Sequence, residues 1–170
     1  MLRNLLCKIF FKLGIESQRP LLTLFPGSRQ QELDKHLPVC IKAVKVIKQQ
    51  YPDIAIILGL APNLELTQYR IPDYIYLETE NPNLALEAAN MAIVASGTAT
   101  LQAAIYETPM IIIYKLNFLS WWISKLLVKT KFAGMPNLIS NKYIVPELLQ
   151  SEVTESLIVK KIIEIIEDRD

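Results

Sequence analysis

The 170-residue sequence is poor in the residues from which many metal sites and covalent catalytic sites are built. Its two cysteines, Cys7 and Cys40, lack the spacing of a metal-binding or redox pair, which argues against a secreted scaffold held together by disulfides. The single histidine, His36, can complete neither a zinc site nor a Ser–His–Asp set, and its place in an amphipathic pattern predicts a solvated side chain. These shortages favour a cytosolic protein without a metal or cofactor.

The sequence also lacks a strong charge of either sign and a long uninterrupted apolar run. Eighteen Lys and Arg oppose seventeen Asp and Glu, a net charge of +1, so nothing favours nucleic acid as a partner. The longest uncharged run, residues 88–106, contains polar residues such as Asn90 and Gln102, which suit a membrane span poorly. Residues 1–15 are apolar and basic, but Lys8 interrupts the core that a signal peptide needs. No membrane-spanning helix is predicted, whereas binding to a membrane surface stays open.

Short apolar runs alternate with stretches of helical period along most of the chain. Residues 21–25 form an apolar run that stops at Pro26, as a buried parallel strand does. Strands are predicted at residues 21–25, 54–60, 74–78, 91–95 and 110–114, and helices at residues 33–47, 64–70, 84–90, 99–106, 119–127 and 154–168. Strands separated by helices predict an α/β fold, an open parallel sheet of about five strands with helices on both faces.

Several local signals refine this prediction. Ser28 and Gln31 have the spacing of a capping box at the start of the first long helix. Pro38 is expected to kink that helix or to begin its second segment. A stretch with Pro and Asn, residues 133–146, interrupts the helical pattern near the end. We expect one α/β domain over residues 19–170, preceded by residues 1–18 as a basic, apolar helix or a linker.

Ligands of an open parallel sheet bind outside the carboxyl ends of its strands, which selects three loops as candidate sites. The first loop contains Gly27, Ser28 and Arg29. Glycine allows a tight turn there, and Arg29 would stand at a helix N-terminus. A cation in that place opposes the helix dipole unless an anion shares it, so we favour an anion site over a plain surface arginine.

The second and third loops follow the fourth and fifth predicted strands. Ser96, Gly97 and Thr98 offer backbone N–H groups and hydroxyls that suit a phosphate or diphosphate, although a plain strand-to-helix turn explains them equally well. Gln102 lies one helical turn beyond Thr98 and either faces a ligand or is an ordinary polar helix residue. The third loop begins at Tyr114 and Lys115.

Two further groups of residues have a functional and a structural interpretation of equal weight. Glu78 and Glu80, near a strand end, fit a polar turn as well as an acid–base pair. The tryptophans of the last third fit core packing as well as contact with a membrane surface, where nearby lysines would face anionic headgroups. The candidates for that contact are Trp121, Trp122, Lys125 and Lys129.

Five segments, taken together and in this order, resemble the lipid-A-disaccharide synthases far more specifically than any one of them does. The segments are Leu24-Phe-Pro-Gly-Ser-Arg29, Ala95-Ser-Gly-Thr-Ala-Thr-Leu101, Ile113-Tyr-Lys115, Met135-Pro-Asn-Leu-Ile139 and Val145-Pro-Glu-Leu-Leu-Gln150. The resemblance covers residues 11–170, nearly the whole chain.

The resemblance implies the Rossmann-like C-terminal half, the donor-binding half, of a two-domain GT-B glycosyltransferase. Enzymes of that family transfer 2,3-diacylglucosamine from its UDP donor to a lipid monosaccharide 1-phosphate in lipid A biosynthesis, without a metal. By this resemblance Arg29 would face the donor diphosphate, and Gln102 replaces a glutamate that is common in the family, with the loss of a charge-assisted hydrogen bond. The donor-binding residues that it implies are Gly27, Ser28, Arg29, Ser96, Gly97, Thr98, Gln102, Tyr114, Lys115, Asn137 and Glu147.

The resemblance also leads us to expect an incomplete enzyme. The acceptor site and the catalytic base are expected in an N-terminal domain that these residues do not contain, so no catalytic residue is assigned and the isolated chain is expected to be inactive. Such a chain is either a subunit that meets a separately encoded half or the product of a split or decaying gene. The alternative is a non-catalytic binding or assembly subunit with the same fold.

The expected partners follow from the same resemblance. The UDP-diacylglucosamine donor would bind this chain, and the lipid monosaccharide phosphate acceptor would bind only together with the other half. We expect a cytoplasmic location, with peripheral attachment to the inner face of the inner membrane left open.

Overall fold

The computed structural model describes residues 9–16, 19–115 and 132–168 of the chain. Its strands are β1 (Leu21–Phe25), β2 (Ala55–Gly59), β3 (Ile75–Glu78), β4 (Met91–Ala95), β5 (Met110–Tyr114) and β6 (Glu147–Leu149). The helices that follow β1 are α1 (Gln30–Gln50), α2 (Pro82–Ala88), α3 (Thr98–Ile105), α4 (Met135–Ser140) and α5 (Glu155–Glu167), with a 3₁₀ turn at Gln150–Glu152. Residues 9–13 are helical as well.

The strands form a single six-stranded sheet in the order β3-β2-β1-β4-β5-β6. Every pairing in it is parallel. Strand β1 lies at the centre, where Leu22 stands opposite Ile56 of β2 on one side and Met91 of β4 on the other. The strands that directly follow β1 in the sequence, β2 and β3, lie on one side of it, and β4, β5 and β6 lie on the other. The loops after β1 and β4 therefore lead to opposite sides and leave a crevice between them.

Both faces of the sheet are covered, which explains why its central strands are almost continuously apolar. One face packs against α1 and α5 through side chains such as Leu24, Ile93 and Ile113, and Leu37 of α1 and Ile158 of α5 lie in the same core. The alternate side chains of the same strands pack on the opposite face against α2 and α3. The α/β class, the parallel sheet and the two helical layers are as predicted from the sequence.

The first long helix begins differently from its prediction. Arg29, not Ser28, is the N-cap of α1, and no side-chain hydrogen bond caps the helix. The prediction of a capping box between Ser28 and Gln31 is therefore wrong. The backbone N–H of Ser28 instead donates to Glu32 Oε2 at 2.9 Å. Pro38 lies inside one continuous helix and does not begin a second segment. Its position is exposed, so water can satisfy the helix carbonyl that proline leaves unpaired.

Three other predictions of secondary structure need correction. A sixth strand, β6, is present; its three residues are too short to produce a visible alternation. Residues 64–70 form turns and irregular structure and no helix. The side chain of Gln30 in α1 donates to the carbonyl of Glu65 and accepts its N–H, so neither backbone group is left for a helix. The interrupting stretch contains the short helix α4, which begins at Met135 and has Pro136 in its first turn, where proline is well tolerated.

Residues 9–15 pack against the sheet. Ile9, Phe10 and Ile15 are buried in one cluster with Leu21 and Ile57. Within the described ranges, no helix is both long enough and apolar enough to cross a bilayer.

Cys40 is fully buried in α1, and burial raises the pKa of its thiol to about 12. A thiol that stays protonated at neutral pH is a packing group and a poor nucleophile.

Candidate functional site

A cavity of about 530 Å³ opens at the carboxyl edge of the sheet, where the rule for parallel sheets places ligands. Residues from the loops after β1, β2, β3, β4 and β5 line it. They are Phe25, Gly27, Ser28, Arg29, Glu32, Gly59, Ala61, Pro82, Asn83, Ala95, Ser96, Gly97, Thr98, Ala99, Gln102 and Tyr114. The volume is typical of a site for a small organic ligand.

The first loop and the first turn of α1 carry the two charged side chains found among the described residues of the cavity lining, Arg29 and Glu32. Gly27 has a φ of +136°, and a Cβ there would lie 2.5 Å from Cβ of Glu32, so the turn requires glycine. Because Glu32 accepts the N–H of Ser28, a carboxylate already occupies a donor at the start of α1. Arg29 is exposed and carries the positive charge of the cavity wall.

The second loop leaves the start of α3 open. Gly97 is the N-cap of α3, with a φ of +150°, and no side chain among residues 9–16, 19–115 and 132–168 caps the helix with a hydrogen bond. The first N–H groups of a helix have no partner within it, so those of Thr98 and Ala99 are available to an anion. Ser96 is fixed, since its Oγ donates to the carbonyl of Ala133 at 2.6 Å. The predicted residues Ser96, Gly97, Thr98 and Gln102 are thus brought together on one wall.

The third loop contributes only one of its two predicted residues. Tyr114 lines the cavity, and burial raises the pKa of its phenol. The side chain of Lys115 lies instead in a separate surface hollow with Asp34 and Glu155.

His36 is not solvated as predicted; it is completely buried. Its Nδ1 lies 2.7 Å from the carbonyl oxygen of Pro26, and its Nε2 accepts the N–H of Lys115 at 3.0 Å. Burial lowers the pKa of the imidazole. The histidine is a neutral structural group beneath the site.

Asn137 and Glu147 lie outside the cavity lining. The Nδ2 group of Asn137 donates to Glu147 Oε1 at 2.8 Å, and Glu147 also accepts the N–H groups of Ala133 and Gly134. Both side chains are buried. Their polar atoms hold the segment before β6 in place, and that segment in turn accepts the hydroxyl of Ser96. In this structure the two side chains support the second loop, and their predicted contact with a donor stays a prediction.

Glu78 serves a turn next to the cavity. Its side chain is 1% exposed and accepts the backbone N–H groups of Glu80 and Asn81, each at 2.9 Å, and Lys12 Nζ at 2.8 Å. Burial alone would raise the pKa of Glu78, but these hydrogen bonds together lower it. The arrangement fits the polar-turn interpretation and leads directly into Pro82 and Asn83 of the cavity wall.

Replacing Glu78 with glutamine is expected to lower the free energy of unfolding at pH 7 by about 1.5–3 kcal/mol, because three donor groups lose their charged acceptor. The pKa of Glu78 is lower in the folded chain than in the unfolded one, so this stabilisation is present above about pH 4.3 and is lost as the pH falls through the lowered pKa. Urea unfolding of wild type and variant at several pH values measures both effects. The difference between their free energies of unfolding should become smaller in acid.

Glu80→Gln is the matched control, since Glu80 also pairs with Lys12, at 2.9 Å, but is 81% exposed. An exposed pair contributes little, so its loss should be small at every pH. Equal losses of stability from the two substitutions would show that the burial of Glu78 does not strengthen its contribution to the free energy of unfolding.

Some of the cavity was not predicted, and some predicted residues cannot be placed. Ala61, Pro82 and Asn83 follow β2 and β3; the same rule of strand ends that selected three loops selects these two as well. Glu32 lies four residues after Ser28, a spacing that could have indicated its contact with the first loop. The predicted helix at 119–127 and the candidates Trp121, Trp122, Lys125 and Lys129 lie outside the described residues.

A family model described as lipid-A-disaccharide synthetase matches residues 8–170. The chain belongs to this family. A lipid-A-disaccharide synthase of Coxiella burnetii (strain RSA 331 / Henzerling II) is 36% identical over 170 residues, which are 99% of this chain and 44% of that protein. Lipid-A-disaccharide synthase 1 of Legionella pneumophila (strain Paris) is 34% identical over 154 residues, 84% of this chain and 38% of that protein. The chain thus spans less than half the length of these curated relatives.

Two solved glycosyltransferases share the fold of this lipid-A-disaccharide synthetase chain. ADP-heptose lps heptosyltransferase II of E. coli aligns with 98% of this chain and 52% of its own at a TM-score of 0.64 and 9% identity. A spinosyn rhamnosyltransferase complexed with thymidine diphosphate aligns with 88% of this chain and 38% of its own at a TM-score of 0.59 and 15% identity. At identities this low, the similarity concerns the fold alone. It confirms the predicted Rossmann-like architecture of a GT-B glycosyltransferase.

Proposed function

We propose that this chain binds UDP-2,3-diacylglucosamine and supplies the donor site for transfer of the sugar to a lipid monosaccharide 1-phosphate. One observation carries the proposal: Arg29 and the uncapped N-terminus of α3 line the same cavity. A guanidinium and free helix N–H groups around one space are complementary to a diphosphate. Membership of the lipid-A-disaccharide synthetase family supports this choice of sugar and acceptor.

The diphosphate belongs at α3 and not at α1. Glu32 accepts the N–H of Ser28 at the start of α1, so a second anion there would lie against a carboxylate. Within the part of the chain that the structure describes, no side chain accepts from the first N–H groups of α3. Arg29, at the end of the first loop, lines the same cavity and supplies a positive charge to it.

The remaining lining suits a nucleoside. Phe25, Ala61 and Pro82 offer apolar surface, and the amides of Asn83 and Gln102 offer hydrogen bonds to hydroxyl groups. Gln102 forms these bonds without the charge that a glutamate would add.

The transfer itself needs groups beyond this cavity. Among the described residues that line it, the only carboxylate is Glu32, which is engaged by Ser28, and there is no histidine or cysteine. We therefore propose that the acceptor and the general base are held by residues other than these, and that this chain contributes donor binding alone.

Calorimetric titration of the purified chain with UDP, UMP and uridine tests the proposal. We expect saturable binding of UDP that is roughly tenfold tighter than that of UMP, because UMP lacks the second phosphate for a charge-assisted contact. A chelator should not change the affinity. No binding of UDP by a sample with a cooperative unfolding transition would contradict the proposal and favour the assembly subunit, and equal binding of uridine would contradict the diphosphate site.

A further inference from the structure

Two walls of the cavity come from strands that are not neighbours in the sheet. Strand β4 lies between β1 and β5. The first loop leaves β1 at Pro26, and the third loop leaves β5 at Lys115. Strand β4 pairs with both β1 and β5 and sets their spacing, but these ladders end with the strands and do not join the two loops to each other.

His36 spans this gap. It stands on α1 two helical turns beyond Arg29 and is 0% exposed. One ring nitrogen contacts the carbonyl oxygen of Pro26 at 2.7 Å, and the other contacts the N–H of Lys115 at 3.0 Å. A single side chain therefore bonds to the residue that begins each loop.

The two partners determine where the ring proton lies. A carbonyl oxygen only accepts and a backbone N–H only donates, so Nδ1 carries the proton and Nε2 is the acceptor. An imidazolium ion would carry a second proton on Nε2 and would face the N–H of Lys115 donor against donor. The charged groups around the ring are Glu32 and Lys35 on its own helix and Lys115 on the third loop.

We propose that His36 is a positioning residue of the nucleotide site: its neutral imidazole fixes the first and third loops relative to each other. The inference rests on the proposed donor-binding function. Arg29 follows Pro26 by three residues and Tyr114 precedes Lys115, and both side chains line the cavity. His36 does not line the cavity itself, so it acts on the ligand only through these two loops.

Substitutions separate the two hydrogen bonds from the volume of the ring. His36→Leu fills the space without a polar atom and is expected to weaken UDP binding by about tenfold, the effect of one lost positioning hydrogen bond or more. His36→Gln restores an acceptor for the N–H of Lys115 and should recover part of that loss. Val44→Ala removes packing from the same buried side of α1, away from both loops, and should destabilise the chain without changing the affinity of its folded fraction.

The pH profile gives a readout that packing alone would not move. As the pH falls, His36 takes up a second ring proton over a range that its ¹⁵N signals define, whereas glutamine at this position has none to take. The ratio of the affinity of wild type to that of His36→Gln should therefore fall in acid. The titration of UDP itself is common to both chains and cancels in the ratio. A ratio that stays constant across the pH range in which the ¹⁵N signals show His36 taking up this proton would overturn the proposal.

The ring can also be observed directly in the wild-type chain. His36 is the only histidine, so its ¹⁵N signals need no assignment. We expect the proton on Nδ1; a proton on Nε2 would overturn the inference whether or not UDP binds. Failure of wild type to bind UDP would instead contradict the proposed function. Wild-type binding together with equal affinity in folded His36→Leu would overturn the role of His36 alone.

Discussion

Arg29→Ala is expected to weaken binding of UDP by about 10- to 100-fold, the effect of losing a charge-assisted hydrogen bond to a phosphate. The guanidinium is the only positive group among the described residues of the cavity wall, so no described neighbour can replace it. The substitution should leave the fold intact, because the side chain of Arg29 makes no capping hydrogen bond to α1 and is exposed. Calorimetric titration with UDP at fixed salt measures the loss.

Arg70→Ala is the matched control, since Arg70 is an exposed arginine that does not line the cavity. It should bind UDP as wild type does. Arg29→Lys keeps the charge but loses the planar pair of donors, and an intermediate affinity is expected. Unchanged affinity in Arg29→Ala would remove the diphosphate from this part of the cavity.

Asn137→Ala is expected to lower the free energy of unfolding by about 3–5 kcal/mol, a large share of the stability of a single domain. The side chain is 0% exposed and satisfies four polar groups at once. Its Nδ2 donates to the carbonyl of Val145 at 2.7 Å and to Glu147 at 2.8 Å. Its Oδ1 accepts the N–H groups of Ile144 and Val145 at 2.8 and 2.9 Å. Alanine leaves all four without this partner, in or near the protein interior.

Urea unfolding measures this loss, and Asn63→Ala serves as the control because Asn63 is exposed in the loop after β2. The control should change stability by less than about 0.5 kcal/mol. A loss of that size in Asn137→Ala as well would mean that water replaces the asparagine and that the segment before β6 is held by other contacts.

The fold was predictable because the strands carry strong and simple signals. Runs such as residues 21–25 and 110–114 are apolar at nearly every position, as a sheet covered on both faces requires. The rule that ligands lie at the carboxyl ends of parallel strands then located the cavity. Strand β6 and the turns at 64–70 were missed because both depend on contacts with distant parts of the chain.

His36 shows where sequence reasoning failed although a signal was present. Position 36 lies three residues after Leu33 and four before Cys40, and both of those are buried on one side of α1. The helical period places position 36 on this buried side, but the prediction of a solvated side chain followed the polarity of histidine. Burial prevailed because the main chains of Pro26 and Lys115 satisfy both ring nitrogens. No spacing in the sequence indicates that these two residues meet, since β4 separates their strands.

The central place of β1 governs how the molecule is assembled. Strand β1 pairs with β2 early in the chain, but its other neighbour, β4, is distant in sequence: Leu21 N–H bonds to Asn90 Oδ1 across 69 positions. Strands β1, β2 and β3 can therefore pair in the order in which they follow one another in the sequence. The crevice forms only when β4 pairs with β1, and this step is slow because the long segment between them must be ordered first. A fragment that ends before Met91 would retain three strands and no binding cavity, so ligand binding reports completion of the whole sheet.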